Sequence, residues 1–233
     1  HQAIHAKEPF VLKRSDAYIG VLIDDLVNKG TNEPYRMFTS RAEYRILLRQ
    51  DNADIRLTPK VDDLGMQGLN ARMDRVRQKE QDAQEITRFF EKLSVAPEDL
   101  NQYLESMQSA PLKQKVKLHS VLVRPHIGIA ALRAVLPELE NVLKKYEPEV
   151  VELAEINMKY AGYIEKEQEM VEKMNRLEEV RLYENFDYHQ LVSLSAEARE
   201  KLSKIKPRTI GQASRISGIS PSDISVLVVH MGR

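Results

Sequence analysis

The chain has 233 residues, of which 42% are hydrophobic and 30% are charged, as in a globular protein of one large or two small domains. Its 35 lysines and arginines balance 35 aspartates and glutamates, which excludes a chain-wide basic field for nucleic acid but not local basic patches. The absence of cysteine excludes disulfides, thiolate zinc sites and a cysteine nucleophile, and no apolar run reaches the roughly 20 residues that span a bilayer.

The sequence begins with His1 rather than methionine, and the residues that follow lack the apolar stretch of a signal peptide. We therefore expect these residues to begin inside a longer protein, in which this part binds or docks while the chemistry lies elsewhere. A cysteine-free chain suits a reducing compartment, so we expect a cytoplasmic location.

The first 60 residues predict a small mixed α/β piece. Residues 15–30 place apolar side chains at helical spacing between Ser15, a candidate N-cap, and Gly30, a candidate C-terminal stop. Residues 43–57 alternate apolar and polar side chains around a turn signal, which allows a strand or a short helix and, with a returning second strand, a small hairpin.

From Thr58 onward the pattern is almost wholly helical, so the predicted fold class is mainly α, a helical C-terminal module with that small α/β piece near its N terminus. We expect a mixed α/β connecting segment over 8–60, a helical domain over 61–180 and a bundle of short helices over 181–233. The predicted helices are a short one from Thr58-Pro59 to Gly65, one over 71–93, one from Pro97 to about Met107, two short ones within 118–137, a long one over about 147–180, and three that begin at Ser195, Thr209 and Ser220.

Neither a GxGxxG dinucleotide fingerprint nor a P-loop occurs, and the six histidines form no HExxH motif. The residues therefore predict no metal site, and none is assigned a catalytic role. Charge is distributed unevenly, because residues 106–137 hold five basic residues and no acid whereas residues 138–180 hold twelve glutamates against six lysines and arginines. Within the basic segment, Lys113, Lys115 and Lys117 form either a solvated surface or a patch that follows a nucleic-acid backbone.

Five arginines and two tyrosines fall within about two dozen residues after Pro34. Guanidinium groups match the geometry of phosphates, and aromatic faces stack on bases or flavin rings. Internal pairing with nearby acids, which would order a loop, is the interpretation favoured for an isolated sequence. The candidate anion-binding residues are Arg36, Arg41, Arg45, Arg49 and Arg56.

A second candidate surface lies within the long helix at Tyr160, Gly162, Tyr163 and Lys166. A glycine inside a helix costs about 1 kcal/mol relative to alanine, which often marks the close approach of a backbone or ligand. Helical spacing favours core packing for Tyr160, while Tyr163 and Lys166 share an outer side that could meet a polyanion.

The third candidate is the helix–glycine–helix segment 207–221, which resembles the geometry of helix-turn-helix modules. The free N–H groups of a helix N terminus can bind a phosphate, and the predicted contact residues are Arg208, Gln212, Arg215 and Gly218. The alternative is a compact hairpin in which apolar side chains of 210–216 pack on those of 224–228. The two interpretations, phosphate binding and a packed hairpin, are compatible if this packing exposes the polar residues to a partner.

Long stretches of the chain resemble one bacterial family. They are AYIGVLIDDLV at 17–27, EPYRMFTSRAEYR at 33–45, RQDNADIRLT at 49–58 and TIGQASRISGI at 209–219. The family is that of glucose-inhibited division protein A (MnmG/GidA), the tRNA uridine 5-carboxymethylaminomethyl modification enzymes. The resemblance covers essentially the whole chain, which is similar to the C-terminal part of the family, with residues 1–7 as the tail of a missing FAD-binding domain.

The resemblance implies that the parent binds FAD in an N-terminal Rossmann-type domain and forms a homodimer. It also implies that the parent works with the GTPase MnmE to add an aminomethyl or carboxymethylaminomethyl group to carbon 5 of the wobble uridine of tRNA. NADH, methylene-tetrahydrofolate, and glycine or ammonium are used in that reaction. The helical C-terminal part is the region associated with partner docking and tRNA contact.

This chain departs from the family pattern because it lacks the glycine fingerprint and the reactive cysteines. We therefore predict that it is inactive alone, with its arginine-rich motif facing the flavin domain or tRNA and the other two candidate surfaces contacting tRNA and the partner. The alternatives are a free-standing helical nucleic-acid-binding module and a protein-docking adaptor without enzymatic activity.

Overall fold

The computed structural model describes residues 2–29, 34–183 and 186–231. Over these ranges the chain is mostly helical, with eleven α-helices and one two-stranded sheet, which confirms the mainly α prediction. The elements are α1 (Tyr18–Lys29), α2 (Ala53–Asp63), α3 (Asn70–Lys92), β1 (Ser94–Val95), α4 (Pro97–Ser106), β2 (Val116–Lys117), α5 (Leu118–Leu122), α6 (Ile129–Val135), α7 (Pro137–Leu143), α8 (Pro148–Glu179), α9 (Ala196–Ile205), α10 (Ile210–Ser214) and α11 (Pro221–Met231). In the part of the chain so described, no helix is both long enough and apolar enough to cross a membrane.

The chain divides into two compact units. The first unit is formed by residues 1–9 and 49–164, and the second by residues 10–48 and 165–233. The 32-residue helix α8 contributes its first part, to Ile164, to the first unit and the remainder to the second.

The first unit is built around α3, whose buried face confirms the helix predicted over 71–93. Val76, Ala83, Ile86 and Phe90 are buried at helical spacing. They pack with the apolar faces of α4 to α7 and with the first turns of α8 in one continuous core. Burial of this apolar surface is the main source of stability for the unit.

The sheet lies in this first unit rather than near the N terminus. Strands β1 and β2 are antiparallel, with Ser94 opposite Lys117 and Val95 opposite Val116. The described residues of segment 8–60 contain no strand, so the α/β piece expected there is wrong in its position.

Of the alternatives that the pattern of 43–57 allows, the structure has no strand or hairpin there; a turn is followed by helix α2. Thr58 therefore lies inside a helix instead of capping one, and Pro59 is accommodated in the helix interior. Lys79 of α3 explains why this segment is helical, because its ammonium donates to the Asp54 carboxylate at 3.0 Å and to the Asp51 carbonyl at 2.9 Å. These bonds and the packing of α2 on α3 favour helix over strand.

The second unit contains α1, the last part of α8 and the short helices α9 to α11. The predicted caps are present, since the Ser195 side chain accepts from the Ala198 N–H and the Ser220 hydroxyl accepts from the Asp223 N–H, both at 3.1 Å. The Asp223 carboxylate accepts in return from the Ser220 N–H at 2.9 Å, which completes a capping box.

Helix α1 begins at Tyr18, so Ser15 is not its N-cap. The Asp16 carboxylate accepts from the Lys13 N–H at 2.8 Å and closes a separate turn immediately before the helix. The predicted stop at Gly30 lies outside the described residues.

Candidate nucleic-acid interface

A buried arginine organises the arginine-rich segment of the second unit. Arg14 is 7% exposed, and its guanidinium donates to Asp25 at 2.8 Å, to Asp24 at 3.0 Å and to Glu43 at 2.8 Å. It also donates to the backbone carbonyl of Arg41 at 2.7 Å. One side chain thus ties α1 to the 3₁₀ turn Thr39–Arg41, which carries the middle of the motif.

The charge of Arg14 is secured by its partners. Burial lowers the pKa of its guanidinium, but the hydrogen bonds to Glu43 and Asp25 and the attraction of the neighbouring carboxylates together raise the pKa by more, so the net shift is upward. Asp25 is fully buried and also accepts a 2.9 Å bond from the Tyr35 hydroxyl. The network is therefore a structural support on which exposed groups can be presented.

Arg36 and Arg45 are the exposed members of the predicted anion-binding set. Among the residues that the structure describes, neither has a carboxylate within 4.0 Å. Arg41 is half-buried, with its guanidinium carbon 5.5 Å from the ring centre of Phe38 and one nitrogen 3.7 Å from Asp25. Arg36 and Arg45 are thus the two guanidinium groups here with uncompensated charge.

Arg49 and Arg56 belong to the first unit and are engaged internally. Arg49 pairs with Asp51 at 3.0 Å and donates to Asn157 at 3.1 Å. Arg56 donates to Asn52 at 2.8 Å and to the Arg49 carbonyl at 3.2 Å. Arg49 and Arg56 are thus paired internally, as in the interpretation of the motif as an ordered loop.

Glu167 of α8 positions the residues that follow Arg45. Its carboxylate accepts from the N–H of Ile46 at 3.1 Å and from the N–H of Leu47 at 3.0 Å. Tyr44 and Leu48, on either side of this turn, are buried against Val171 and Met174. The turn that presents Arg45 is therefore fixed to α8 by both polar and apolar contacts.

Arg215, expected on the contact surface, is largely buried and paired inside the unit. Its guanidinium makes two 2.9 Å bonds to the Asp24 carboxylate and one of 2.5 Å to Glu178. Burial lowers the pKa of Arg215, but the hydrogen bonds to these two acids and the attraction of their charges together raise the pKa by more, so the net shift is upward. Internal carboxylates neutralise the charge of Arg215. The prediction that packing would expose Arg215 to a partner is therefore wrong.

The remaining residues of the C-terminal candidate have mixed roles. Arg208 has an exposed side chain, whereas the Gln212 side-chain oxygen accepts a 2.8 Å bond from the Arg208 N–H. Thr209 caps α10 by accepting from the Gln212 N–H at 3.1 Å, as predicted. Gly218 has a φ of 90°, which favours glycine, so it shapes the turn before α11.

The apolar side of the predicted hairpin is largely confirmed. Ile210, Ala213, Ile216 and Leu227 are buried together, with Ile224 packed against them. Val228, expected in the same core, is 38% exposed.

On α8, the tyrosine candidates face outward. Tyr160 and Tyr163 are 47% and 61% exposed, with ring centres 6.4 Å apart, so core packing of Tyr160 is wrong. A Cβ added at Gly162 would meet nothing within 4 Å, so the expected close neighbour is not found among the described residues. Lys166, further along the helix, is exposed.

A cavity of about 660 Å³ lies in the second unit beside the buried ion pairs. Arg14, Asp24, Glu178 and Arg215 line its polar wall, where each guanidinium group already has carboxylate partners. Apolar side chains, including Met174, line the other wall.

The glycine of α1 does not form a phosphate cradle. Such a cradle needs backbone N–H groups that point at the anion, but Gly20 lies against the carbonyl oxygens of Leu12 and Lys13. Over the same described ranges, no cluster of three or more His, Asp or Glu side chains could hold a metal ion.

Sequence reasoning missed the residues that build this interface. Arg14, Asp24 and Asp25 were not singled out, and neither were Glu167 and Glu178. Two adjacent aspartates within an amphipathic helix were the available signal, because a carboxylate at a buried position requires a partner cation.

Two family models match the chain. Residues 70–168 match the model described as the tRNA modifying enzyme MnmG/GidA C-terminal helical domain, and residues 170–233 match the model described as the MnmG/GidA C-terminal helical bundle. The boundary between them falls within α8, close to the division between the two compact units.

Individual relatives agree with these models. The chain is 50% identical over 233 residues to the tRNA uridine 5-carboxymethylaminomethyl modification enzyme MnmG of Cytophaga hutchinsonii, and 49% identical over 237 residues to that of Porphyromonas gingivalis. Each alignment covers all of this chain but only 37% and 38% of the relative. A crystal structure of Aquifex aeolicus GidA matches with a TM-score of 0.72 and 34% identity, over 100% of this chain and 35% of that one.

The chain thus spans little more than a third of the length of these relatives. Both helical modules and the overall fold agree with one family throughout. The chain therefore belongs to the MnmG/GidA family and corresponds to its C-terminal part.

Proposed function

We propose that this chain is the tRNA- and partner-binding C-terminal part of a flavoenzyme that modifies tRNA. With a GTPase partner, MnmE, the parent adds a carboxymethylaminomethyl group to carbon 5 of the wobble uridine. Residues 1–7 are the tail of its FAD-binding domain, and the chain acts in the cytoplasm. The names of the relatives, which act on tRNA uridine, support the substrate class.

The observation that carries this proposal is the exposure of Arg36 and Arg45 on a rigid support. Both guanidinium groups lack a carboxylate neighbour among the described residues, while Arg14 holds the Arg41 carbonyl between them and Glu167 holds the N–H groups that follow Arg45. A preorganised cation loses little side-chain and loop entropy when it binds a phosphate. Such groups suit the tRNA backbone.

The other exposed candidates extend this role. Arg208 offers a further cation beside the N terminus of α10, and the paired rings of Tyr160 and Tyr163 offer faces on which unstacked bases can stack. Lys166 adds a charge on the same helix as the tyrosines. Gln212 holds the start of α10 through the Arg208 N–H, and Gly218 shapes the α10–α11 turn, so both support the surface on which the GTPase partner docks.

The carbon-transfer and redox steps belong to the part of the parent outside this chain. FAD, NADH and methylene-tetrahydrofolate are used there, and the parent is a homodimer. The chain contributes binding and orientation of the tRNA, and the ion pairs of Arg14 and Arg215 with Asp24 support the fold beside the described cavity.

The test is tRNA modification by the parent-length protein together with its GTPase. Arg36→Gln/Arg45→Gln is expected to lower wobble-uridine modification mainly through a higher KM for tRNA, measured by nucleoside analysis. An Arg72→Gln/Arg75→Gln variant, altered on the exposed face of α3, is the charge-matched control. Equal activity of the first variant and the wild type across tRNA concentrations contradicts the proposal.

A further inference from the structure

The first unit carries a set of four cations that the proposed interface does not use. They lie in the acid-free segment 106–137, and three are exposed lysines. We call this set the basic ridge; it consists of Lys113, Lys115, Lys117 and Arg124.

The charges of the basic ridge are not neutralised. Lys117 donates to the carbonyl of Lys92 at 2.9 Å, and Arg124 donates to the carbonyl of Ala110 at 2.5 Å. These acceptors are neutral, so the bonds hold the side chains in place but do not neutralise their positive charges. Over the ranges that the structure describes, none of the four has a carboxylate within 4.0 Å.

Arg133 shows the contrast within the same acid-free segment. Its guanidinium pairs with Glu140 at 2.6 Å through two hydrogen bonds. Among the described residues, an acid of the neighbouring segment 138–180 therefore pairs with Arg133, and none pairs with the basic ridge. An uncompensated cluster of like charges raises the local positive potential, which attracts a polyanion.

The backbone beneath the basic ridge is firmly anchored. Strand β2 pairs with β1, the Leu118 N–H donates to the Leu93 carbonyl at 2.9 Å, and the side chains of Leu118 and Val121 are completely buried. Lys115 and Lys117 are two residues apart in extended chain, so their side chains leave on the same side about 6.6 Å apart.

We propose that the basic ridge binds the phosphate backbone of structured RNA as a second contact surface for the tRNA, separate from Arg36, Arg45 and Arg208. The inference rests on the proposed function for the identity of the RNA. Lysines act on phosphates as point charges without demanding a fixed geometry, which suits backbone contact without reading of sequence. The family model that covers residues 70–168 includes the whole ridge.

The experiment measures tRNA affinity of the full chain at several salt concentrations. Lys113→Gln/Lys115→Gln removes two exposed charges without touching the core. Each lost phosphate contact is expected to lower affinity about tenfold at 0.1 M salt and to reduce the slope of log K against log salt by about 1. The control, Lys144→Gln/Lys173→Gln, removes the same charge from exposed positions in the acidic segment and should change neither quantity to that extent.

A second arm compares these variants with Arg36→Gln/Arg45→Gln. If that variant loses affinity but Lys113→Gln/Lys115→Gln binds as the wild type does, the basic ridge is not an RNA surface and the proposed function stands. If only the lysine variant loses affinity, the ridge is supported and the arginine surface fails. The ridge proposal is overturned if the wild-type chain binds no tRNA. It is also overturned if the lysine variant binds tRNA normally and is defective only in binding an acidic protein.

Discussion

The guanidinium of Arg215 forms a two-pronged contact with the carboxylate of Asp24, 191 residues earlier in the chain, through two hydrogen bonds of 2.9 Å. Glu178 accepts from the same guanidinium, and Asp24 also accepts from Arg14 at 3.0 Å. This chain of ion pairs ties the C-terminal bundle to the segment that presents Arg36 and Arg45. The part of the arginine-rich motif up to Arg45 and the short C-terminal helices therefore belong to one folded unit.

Substitution of Arg215 tests this connection. Arg215→Met removes the cation but keeps much of its apolar volume, and both Glu178 and Asp24 lose their bonds to the guanidinium. Loss of one member of a buried ion pair costs about 3 kcal/mol, so urea denaturation should show a lower free energy of unfolding. Arg208→Met, at an exposed position nearby in sequence, should stay within about 0.5 kcal/mol of the wild type.

A double-mutant cycle assigns the loss to the pair. Asp24→Asn combined with Arg215→Met should cost less than the sum of the two single changes, because each already removes the same contact. Strict additivity of the two losses would show that Arg215 does not act through Asp24.

Close packing at Gly211 gives a second prediction. A Cβ at this position would clash with the Glu178 carboxyl group, and that carboxylate is held by Thr209 and Arg215. Gly211→Ala should therefore destabilise the chain by about 1–3 kcal/mol in thermal or urea unfolding.

The contrasting substitution is Gly162→Ala, where the added methyl group meets open space on an exposed face of α8. It should stabilise the chain by about 0.5–1 kcal/mol, since alanine favours the helix. Similar effects of the two substitutions would refute the packing explanation.

Acid lability is predicted for the C-terminal bundle through Asp223. Burial raises the pKa of this carboxyl, but hydrogen bonds from Ser195 and Ser220 lower it by more, so the folded pKa lies below the unfolded value of about 3.9. Its stabilising contribution is complete above the unfolded pKa and is lost as the pH falls through the folded pKa. Unfolding measured between pH 6 and pH 2 should lose less stability in Asp223→Asn than in the wild type, and parallel curves would contradict this.

Local signals in the sequence predicted most of the helices. The caps at Ser195, Thr209 and Ser220 and the proline start of α4 at Pro97 depend on residues a few positions apart, so they can be recognised without the fold. The long helix α8 was equally evident from its periodicity. The pattern of segment 43–57 allows a strand or a short helix and does not decide between them, because Lys79 of α3 supplies contacts that favour helix α2.

The site was predicted less completely for the same reason. Sequence reasoning identified Arg36, Arg45 and Arg208 as candidate cations, and the structure leaves all three exposed. It also selected Arg215, whose partners Asp24 and Glu178 are 191 and 37 residues away. Which arginine forms internal ion pairs depends on tertiary contacts, and no short sequence motif encodes these contacts.

The most direct test of the account is the salt dependence of tRNA binding by the full chain, measured by fluorescence anisotropy. We predict saturable binding that weakens as salt rises, and Arg36→Gln/Arg45→Gln/Arg208→Gln should reduce the slope of log K against log salt by about 3. The control Arg72→Gln/Arg75→Gln/Arg88→Gln, with equal loss of exposed charge on α3, should keep a slope near that of the wild type. No binding by the wild type, or the same slope for the first variant as for the wild type, would show that these exposed arginines do not hold tRNA.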